Sequence, residues 1–149
     1  MRGTAMGRAA LALLAVLTAG AAQALEYRSV AEAAVLYDAP SQKASPLFVV
    51  RPGTPVEVIV TTAGWVKVRD AAGDITWIEA KALADKRTVI VTASRAEIRQ
   101  KPDAAAPLLF EADKDVVLEL EDAGPAGWAR VRHRDGQAGY VRLNQIWGV

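Results

Sequence analysis

The side chains that could do chemistry in this sequence are few, and they do not form a catalytic set. His133 is the only histidine of the 149 residues, and there is no cysteine. A single imidazole provides neither a histidine pair for a metal nor a histidine dyad for proton transfer. Without cysteine or a Gly-x-Ser-x-Gly turn, nucleophilic catalysis has no candidate residue. We therefore predict no catalytic residue and no cofactor, and we expect His133 to be an exposed turn residue.

Carboxylates are the remaining candidates for chemistry, and 17 of them are spread along the chain. Asp113 and Asp115 resemble a fragment of a calcium loop, but the other ligands and the glycine of such a loop are missing. A solvated turn is expected there instead, and no metal ligand is predicted. No two acids are set apart by spacing as a general acid and base, so the sequence predicts a protein that is not an enzyme.

Aromatic and basic residues provide the main binding signal. In two segments, strand alternation places a tryptophan on the polar face together with basic residues, while valine or alanine occupies the other face. These segments are 65–69 and 128–132. A large ring on a polar face is less expected than one in the core. The basic residues of the second segment, with His133, Arg134 and Arg142, form either a charged binding face or a solvated face balanced by acids such as Glu119 and Asp135.

The elements that must position these rings are repeated along the chain. Trp65 to Arg69 matches Trp128 to Arg132 at a spacing of 63 residues, and the same spacing relates Trp77 to Tyr140. Upstream, the spacing shortens by one or two residues where turns are expected. A period kept over several blocks indicates a duplicated unit. The two copies are roughly 27–85 and 88–147.

Each copy is predicted to consist of short strands with turns between them. The predicted strands are 56–60, 65–69 and 75–79 in the first copy, and 88–92, 116–121, 128–134 and 138–143 in the second. Asp135-Gly136 is the strongest hairpin signal. The only helical candidate is 79–85, and it is short. Short strands at regular spacing predict an all-β fold of small barrels or sandwiches.

The N-terminal 24 residues are predicted to be a secretory signal peptide. Arg2 and Arg8 give a positive start, an uncharged run follows, and small residues at Ala22 and Ala24 precede a cut before Leu25. The run is short for a membrane span of about 20 residues. We therefore expect cleavage rather than anchoring, with no stable membrane insertion afterwards.

The mature chain is expected to be close to neutral. The full sequence has 18 lysines and arginines against 17 acids, and the signal holds two of those arginines and no acid, which leaves 16 against 17. Binding to nucleic acid needs clustered excess positive charge, so no nucleic-acid partner is predicted. Because there is no cysteine, stability rests on packing alone.

The second copy resembles the bacterial SH3-like family (SH3b, SH3 type 3). The shared pattern runs from Ile98, Arg99 and Pro102 through Trp128 to Val131 and on to Gly139 to Val141. The first copy has Tyr37 where the family prefers arginine and Thr76 where it prefers glycine. The resemblance implies two tandem SH3-like small β-barrels after a cleaved signal peptide, at 25–86 and 87–149.

The resemblance also implies a function, that of a binding module in the periplasm or outside the cell. Its partner would be a cell-wall (peptidoglycan) peptide or an envelope protein, held in aromatic grooves. In the alternative, the protein is a structural adaptor, and the rings pack the two barrels together, including against Trp147, or mediate dimerisation. The predicted ligand-binding residues are Tyr37, Trp65, Trp77, Trp128, Tyr140, Arg130 and Arg132.

Overall fold

The structure is a computed structural model that describes Gly3 and residues 24–149. The predicted signal peptide lies outside these described residues, apart from Gly3 and Ala24. The described part is all-β, with two 3₁₀ turns as its only helical elements. Within 24–149 no helix is long and apolar enough to cross a membrane.

The first half of the described chain forms one antiparallel sheet of seven strands. In chain order the strands are β1 (Glu26–Val30), β2 (Ala34–Tyr37), β3 (Pro46–Val50), β4 (Pro55–Thr62), β5 (Trp65–Arg69), β6 (Ile75–Glu79) and β7 (Leu83–Ala84). They lie in the order β3-β2-β6-β5-β4-β1-β7. The short helix predicted at 79–85 is reduced to a single 3₁₀ turn, Ala80–Ala82. The residues after this turn form β7, which pairs with β1.

The second half repeats this topology strand for strand. Its strands are β8 (Thr88–Val91), β9 (Arg95–Arg99), β10 (Leu108–Asp113), β11 (Val117–Ala123), β12 (Trp128–Arg132), β13 (Ala138–Arg142) and β14 (Ile146–Trp147). They lie in the order β10-β9-β13-β12-β11-β8-β14. The all-β class and the tandem organisation are therefore confirmed. We call the two sheets with their turns the first unit and the second unit.

In neither unit does the sheet close into a barrel. The strand order of the first unit ends at β3 on one side and at β7 on the other, and these two strands are not paired. Strand β3 pairs only with β2, so its outer edge is open. Its residues Phe48 and Val49 are 55% and 73% exposed. The second unit ends in the same way at β10 and β14, so both units are open seven-stranded sheets.

The core of each unit comes from the inward face of its sheet. Alternation along β5 buries Val66 and Val68, and alternation along β12 buries Ala129 and Val131. Inward side chains from several strands converge on one cluster per unit. Each fully buried valine, leucine or isoleucine contributes about 1.5–3 kcal/mol. The ring-bearing positions of the same strands are thereby directed to the outer face.

Matching hairpin turns join the strands that carry the aromatic residues. The predicted hairpin at Asp135-Gly136 is confirmed, since the His133 amide donates to the Gln137 carbonyl at 2.8 Å and Gly136 has φ 97°. The first unit has the same turn 63 residues earlier, with Gly73 at φ 93°. Both glycines adopt a left-handed conformation that a side chain would strain.

Polar and aromatic contacts join the two units. The Thr88 hydroxyl donates to the Gly53 carbonyl at 2.7 Å, and Thr88 is buried. The Tyr27 and Trp147 rings meet edge to face with centroids 5.2 Å apart. Arg87 lies over the Tyr27 ring and donates to the Gly148 carbonyl at 2.8 Å. The linker between the units is therefore bonded to both of them.

Candidate aromatic binding faces

Three aromatic residues come together on the outer face of the first unit. Tyr37 on β2 lies directly across from Trp77 on β6. Trp65 on β5 meets Tyr37 edge to face, with ring centroids 5.5 Å apart. Lys67 pairs with Trp77 across the strands, and its Nζ lies 5.7 Å from the Trp77 ring centroid. All three rings are half-buried, so each keeps an accessible side.

A cleft of about 460 Å³ adjoins this aromatic face. Its wall includes residues with small side chains such as Ala33 and Ala34, together with Tyr37, Glu79 and Lys81. Ring, methyl and charged groups in one open cleft resemble the lining of many peptide and ligand sites.

The Glu79 carboxylate is held in place at the border of this cleft. It accepts from the Gln42 amide at 3.0 Å and contacts Lys81 Nζ at 3.1 Å. The bond from Gln42, followed by that from Lys81, lowers the pKa of Glu79 below its usual value. Glu79 thus places a fixed negative charge across the strand from Trp65.

The matching face of the second unit is basic. Trp128 on β12 lies across from Arg142, whose guanidinium lies 4.8 Å from the Trp128 ring centroid. Tyr140 on β13 lies between Arg130 and Arg99 in the pairing of the strands. The Arg130 guanidinium lies 5.6 Å from the Tyr140 ring centroid. Cation–π contacts therefore cover both rings of this unit.

One glutamate orders two of these arginines. The carboxylate of Glu121 accepts from Nε of Arg130 and from Nε of Arg132. The bond from Arg130, followed by that from Arg132, lowers the pKa of Glu121 below its usual value. The same bond to Glu121 raises the pKa of Arg130. Of the two balancing acids expected from the sequence, Asp135 contacts His133 of the basic set. Glu119 pairs with Lys86 instead, and Glu121 is the acid that balances the two arginines. The strand register shifts between Leu120 and Asp122, and this bulge brings Glu121 between the two guanidinium groups.

The two faces differ in charge at matching positions. Tyr37 in the first unit corresponds to Arg99 in the second, because each pairs with the aromatic residue of β6 or β13. Glu79 corresponds to Arg142, because each pairs with the tryptophan that begins β5 or β12. The first face therefore consists of aromatic rings with a carboxylate at its border. On the second face, arginine side chains cover the aromatic rings.

The single histidine of the sequence makes local contacts in a turn. His133 lies in the hairpin turn, where its Nδ1 is 3.1 Å from an Asp135 oxygen and its ring contacts Phe110. It is partly buried rather than fully exposed, because Phe110 covers one side. Asp113 contacts Arg95, and no cluster of three metal-binding side chains occurs in the described part of the chain.

Sequence reasoning did not find two of the residues that join the units. Tyr27 and Arg87 show no distinguishing pattern in the sequence, since the contacts they make depend on how the two units dock. The ring that meets Trp147 is Tyr27, and the five predicted binding aromatics make their ring contacts within their own units.

Two seven-stranded antiparallel units in tandem, each with a tryptophan at the start of a central strand, define a double SH3-like protein. The chain belongs to the bacterial SH3 domain family, which it matches over residues 30–85 and again over 92–148. No curated protein matches the chain.

Several solved structures are similar to parts of the chain. They include NlpC2 from Trichomonas vaginalis (14% identity, TM-score 0.37, 84% of this chain and 48% of that one). NlpC1 from the same organism has 15% identity and a TM-score of 0.40, covering 90% of this chain and 50% of that one. An NlpC/P60 family protein from Bacillus cereus has 18% identity and a TM-score of 0.38, covering 82% and 56%. The chain thus spans about half the length of these structures.

Proposed function

We propose that the protein is an exported, non-catalytic binding module that recognises an extended peptide of the cell wall or of an envelope protein. The observation that carries this proposal is the outer face of Tyr37, Trp65 and Trp77, of which Tyr37 also lines an open cleft. Bacterial SH3 domains are generally binding modules and usually occur in extracellular or envelope proteins. The working chain would then be residues 25–149, with one domain at 25–86 and the other at 87–149.

The first unit is proposed as the principal peptide site. Its rings offer apolar contact area at low cost in conformational entropy, because aromatic side chains have few rotatable bonds. Lys67, Glu79 and Lys81 supply charged groups around the rings that can orient a peptide. Extended peptides bind such surfaces through alternate side chains and backbone hydrogen bonds.

The second unit is proposed to bind acidic groups of the same partner. Its rings Trp128 and Tyr140 lie beneath guanidinium groups, and Arg130 and Arg132 are ordered by one carboxylate. Ordered arginines favour carboxylates because their planar donors match the two oxygens.

The adaptor alternative assigns the rings to packing between the units. The Tyr27–Trp147 contact already provides an aromatic pair at that junction. This leaves Tyr37, Trp65 and Trp77 half-buried on a face of their own, which favours the binding proposal.

Retention on insoluble peptidoglycan tests the proposal directly. Residues 25–149 would be incubated with purified cell wall, and tryptophan fluorescence would be followed with soluble wall fragments. We expect retention and a blue shift or quench that Trp65→Ala combined with Trp77→Ala removes, with circular dichroism unchanged. The matched control is Trp128→Ala with Tyr140→Ala, which should weaken binding less. Absence of wall retention and of any spectral change in the intact chain would favour the adaptor.

A further inference from the structure

A second, larger cleft lies between the two units, and it borders the second aromatic face at Arg132. It has a volume of about 940 Å³. The first unit contributes the end of β1 and the turn at 51–54, while the second contributes parts of β8 and β11 and the turn after β12. Thr88 lies in this cleft and makes the hydrogen bond to Gly53 that ties the two walls together. Neither unit could form the cleft alone.

Positively charged side chains reach this cleft from both sides. Arg51 comes from the first unit, Lys86 from the linker, and Arg132 and Arg134 from the second unit. His133 lines the same wall. The sequence placed several of these residues in a basic cluster, but it did not show that Arg51 and Lys86 would face them.

Ion pairs balance the charge of some of these basic side chains, and the others remain without an acidic partner. Lys86 pairs with Glu119, which also lines the cleft, and Arg132 shares the single carboxylate of Glu121 with Arg130. The acid that remains in the lining is Asp115. The other two arginines of the lining are Arg51 and Arg134. Neither of them has a salt-bridge partner among residues 24–149.

We infer that this inter-unit cleft binds a compact ligand bearing two or more oxyanion groups, either carboxylates or phosphates. Guanidinium groups form charge-assisted hydrogen bonds with both kinds of oxygen, and these bonds are stronger than neutral ones. Because Arg51 and Arg134 belong to different units, one ligand with two anionic groups bridges the tandem. The net charge of the mature chain and the presence of Asp115 disfavour a long polyanion such as nucleic acid.

Titration with two probes tests the inference and separates the two sources of oxyanion. Residues 25–149, labelled with ¹⁵N, would be titrated with tripolyphosphate and separately with triglutamate, while amide shifts are followed by NMR. We expect shifts concentrated at 51–54, 86–90 and 132–134, and weaker binding at higher salt. The probe with the higher affinity identifies the oxyanion class that the cleft prefers.

Matched variants make the test specific to the cleft. Arg51→Ala with Arg134→Ala should lower the affinity about tenfold, because two charged contacts are lost. Lys43→Ala with Arg95→Ala changes the net charge equally outside the cleft, and should leave the affinity within twofold. Trp65→Ala with Trp77→Ala should leave anion binding unchanged, so this site can fail or succeed independently of the peptide site. Equal losses in the two charge variants, shifts spread over the whole surface, or no binding of either probe would overturn the inference.

Discussion

Tyr27 and Trp147 meet edge to face across the junction of the two units, with ring centroids 5.2 Å apart and ring planes at 86°. Tyr27 lies on the first strand and Trp147 on the last, so the pair joins the two ends of the described fold. Burial, more than the nearby Glu57, raises the pKa of the Tyr27 hydroxyl above its usual value. The two units therefore form a tandem with a packed junction.

The Tyr27–Trp147 contact should give a measurable coupling energy. A double-mutant cycle with Tyr27→Leu and Trp147→Leu keeps an apolar side chain at each position and removes both rings. We expect a coupling of about 0.5–1.5 kcal/mol, the usual value for edge-to-face pairs. The measurement is equilibrium unfolding in denaturant. Strictly additive single losses would contradict the aromatic contact.

The hydrogen bond from Thr88 to Gly53 should contribute to the stability of the same junction. Thr88 is 3% exposed, so replacing it by valine keeps the shape and leaves the Gly53 carbonyl without its donor. We expect Thr88→Val to lower the free energy of unfolding by about 1–3 kcal/mol. Thr92→Val, at an exposed position, is the control and should have little effect. Similar losses in both variants would argue against a specific bond.

Gly139 should be intolerant of any side chain, unlike its counterpart in the first unit. A β-carbon at Gly139 would lie 2.7 Å from the Arg99 carbonyl oxygen and 2.7 Å from Ile98 Cγ2. We therefore expect Gly139→Ala to destabilise the second unit by about 1–3 kcal/mol through overpacking. At the matching position the first unit holds a buried Thr76, and Thr76→Ala should keep a folded unit. Thermal unfolding compares the two, and equal tolerance of alanine would refute the crowding at Gly139.

Asp135 should make stability depend on pH at the acid end of the range. The Gln137 backbone amide, then the Gln137 side chain and His133, lowers the pKa of Asp135 to about 2. A pKa depressed on folding stabilises the protein above the unfolded value of about 4, and this stabilisation is lost as the pH falls through the folded value. The difference in unfolding free energy between the natural chain and Asp135→Asn should shrink as the pH falls from about 4 to about 2. A difference independent of pH would exclude this role.

Local alternation predicted the strands that carry the rings with considerable accuracy. Strand β5 (Trp65–Arg69) and strand β6 (Ile75–Glu79) have the bounds that the sequence predicted. Their period of two also placed valine inward and tryptophan outward. The 63-residue repeat carried the same assignment to β12 and β13. These features depend on neighbours within one strand or hairpin, which is the range over which sequence patterns act.

Features that depend on register or docking were not accessible from the sequence. Glu121 reaches Arg130 and Arg132 only because a bulge shifts the pairing of β11 with β12. Tyr27 reaches Trp147 only because the two units pack together. Neither a bulge nor a docking angle leaves a periodic signal. The closed barrels expected from the family resemblance were wrong for a related reason, since closure depends on pairing between the outermost strands.

The open edge at β3 determines where each unit is expected to loosen first. A strand bonded on one side has backbone amides that face solvent, whereas the amides of β5 are paired with strands on both sides. Local opening starts where few contacts hold the backbone. In hydrogen–deuterium exchange, β3 and its counterpart β10 should therefore exchange soonest among the longer strands, while β5 and β12 should be protected longest.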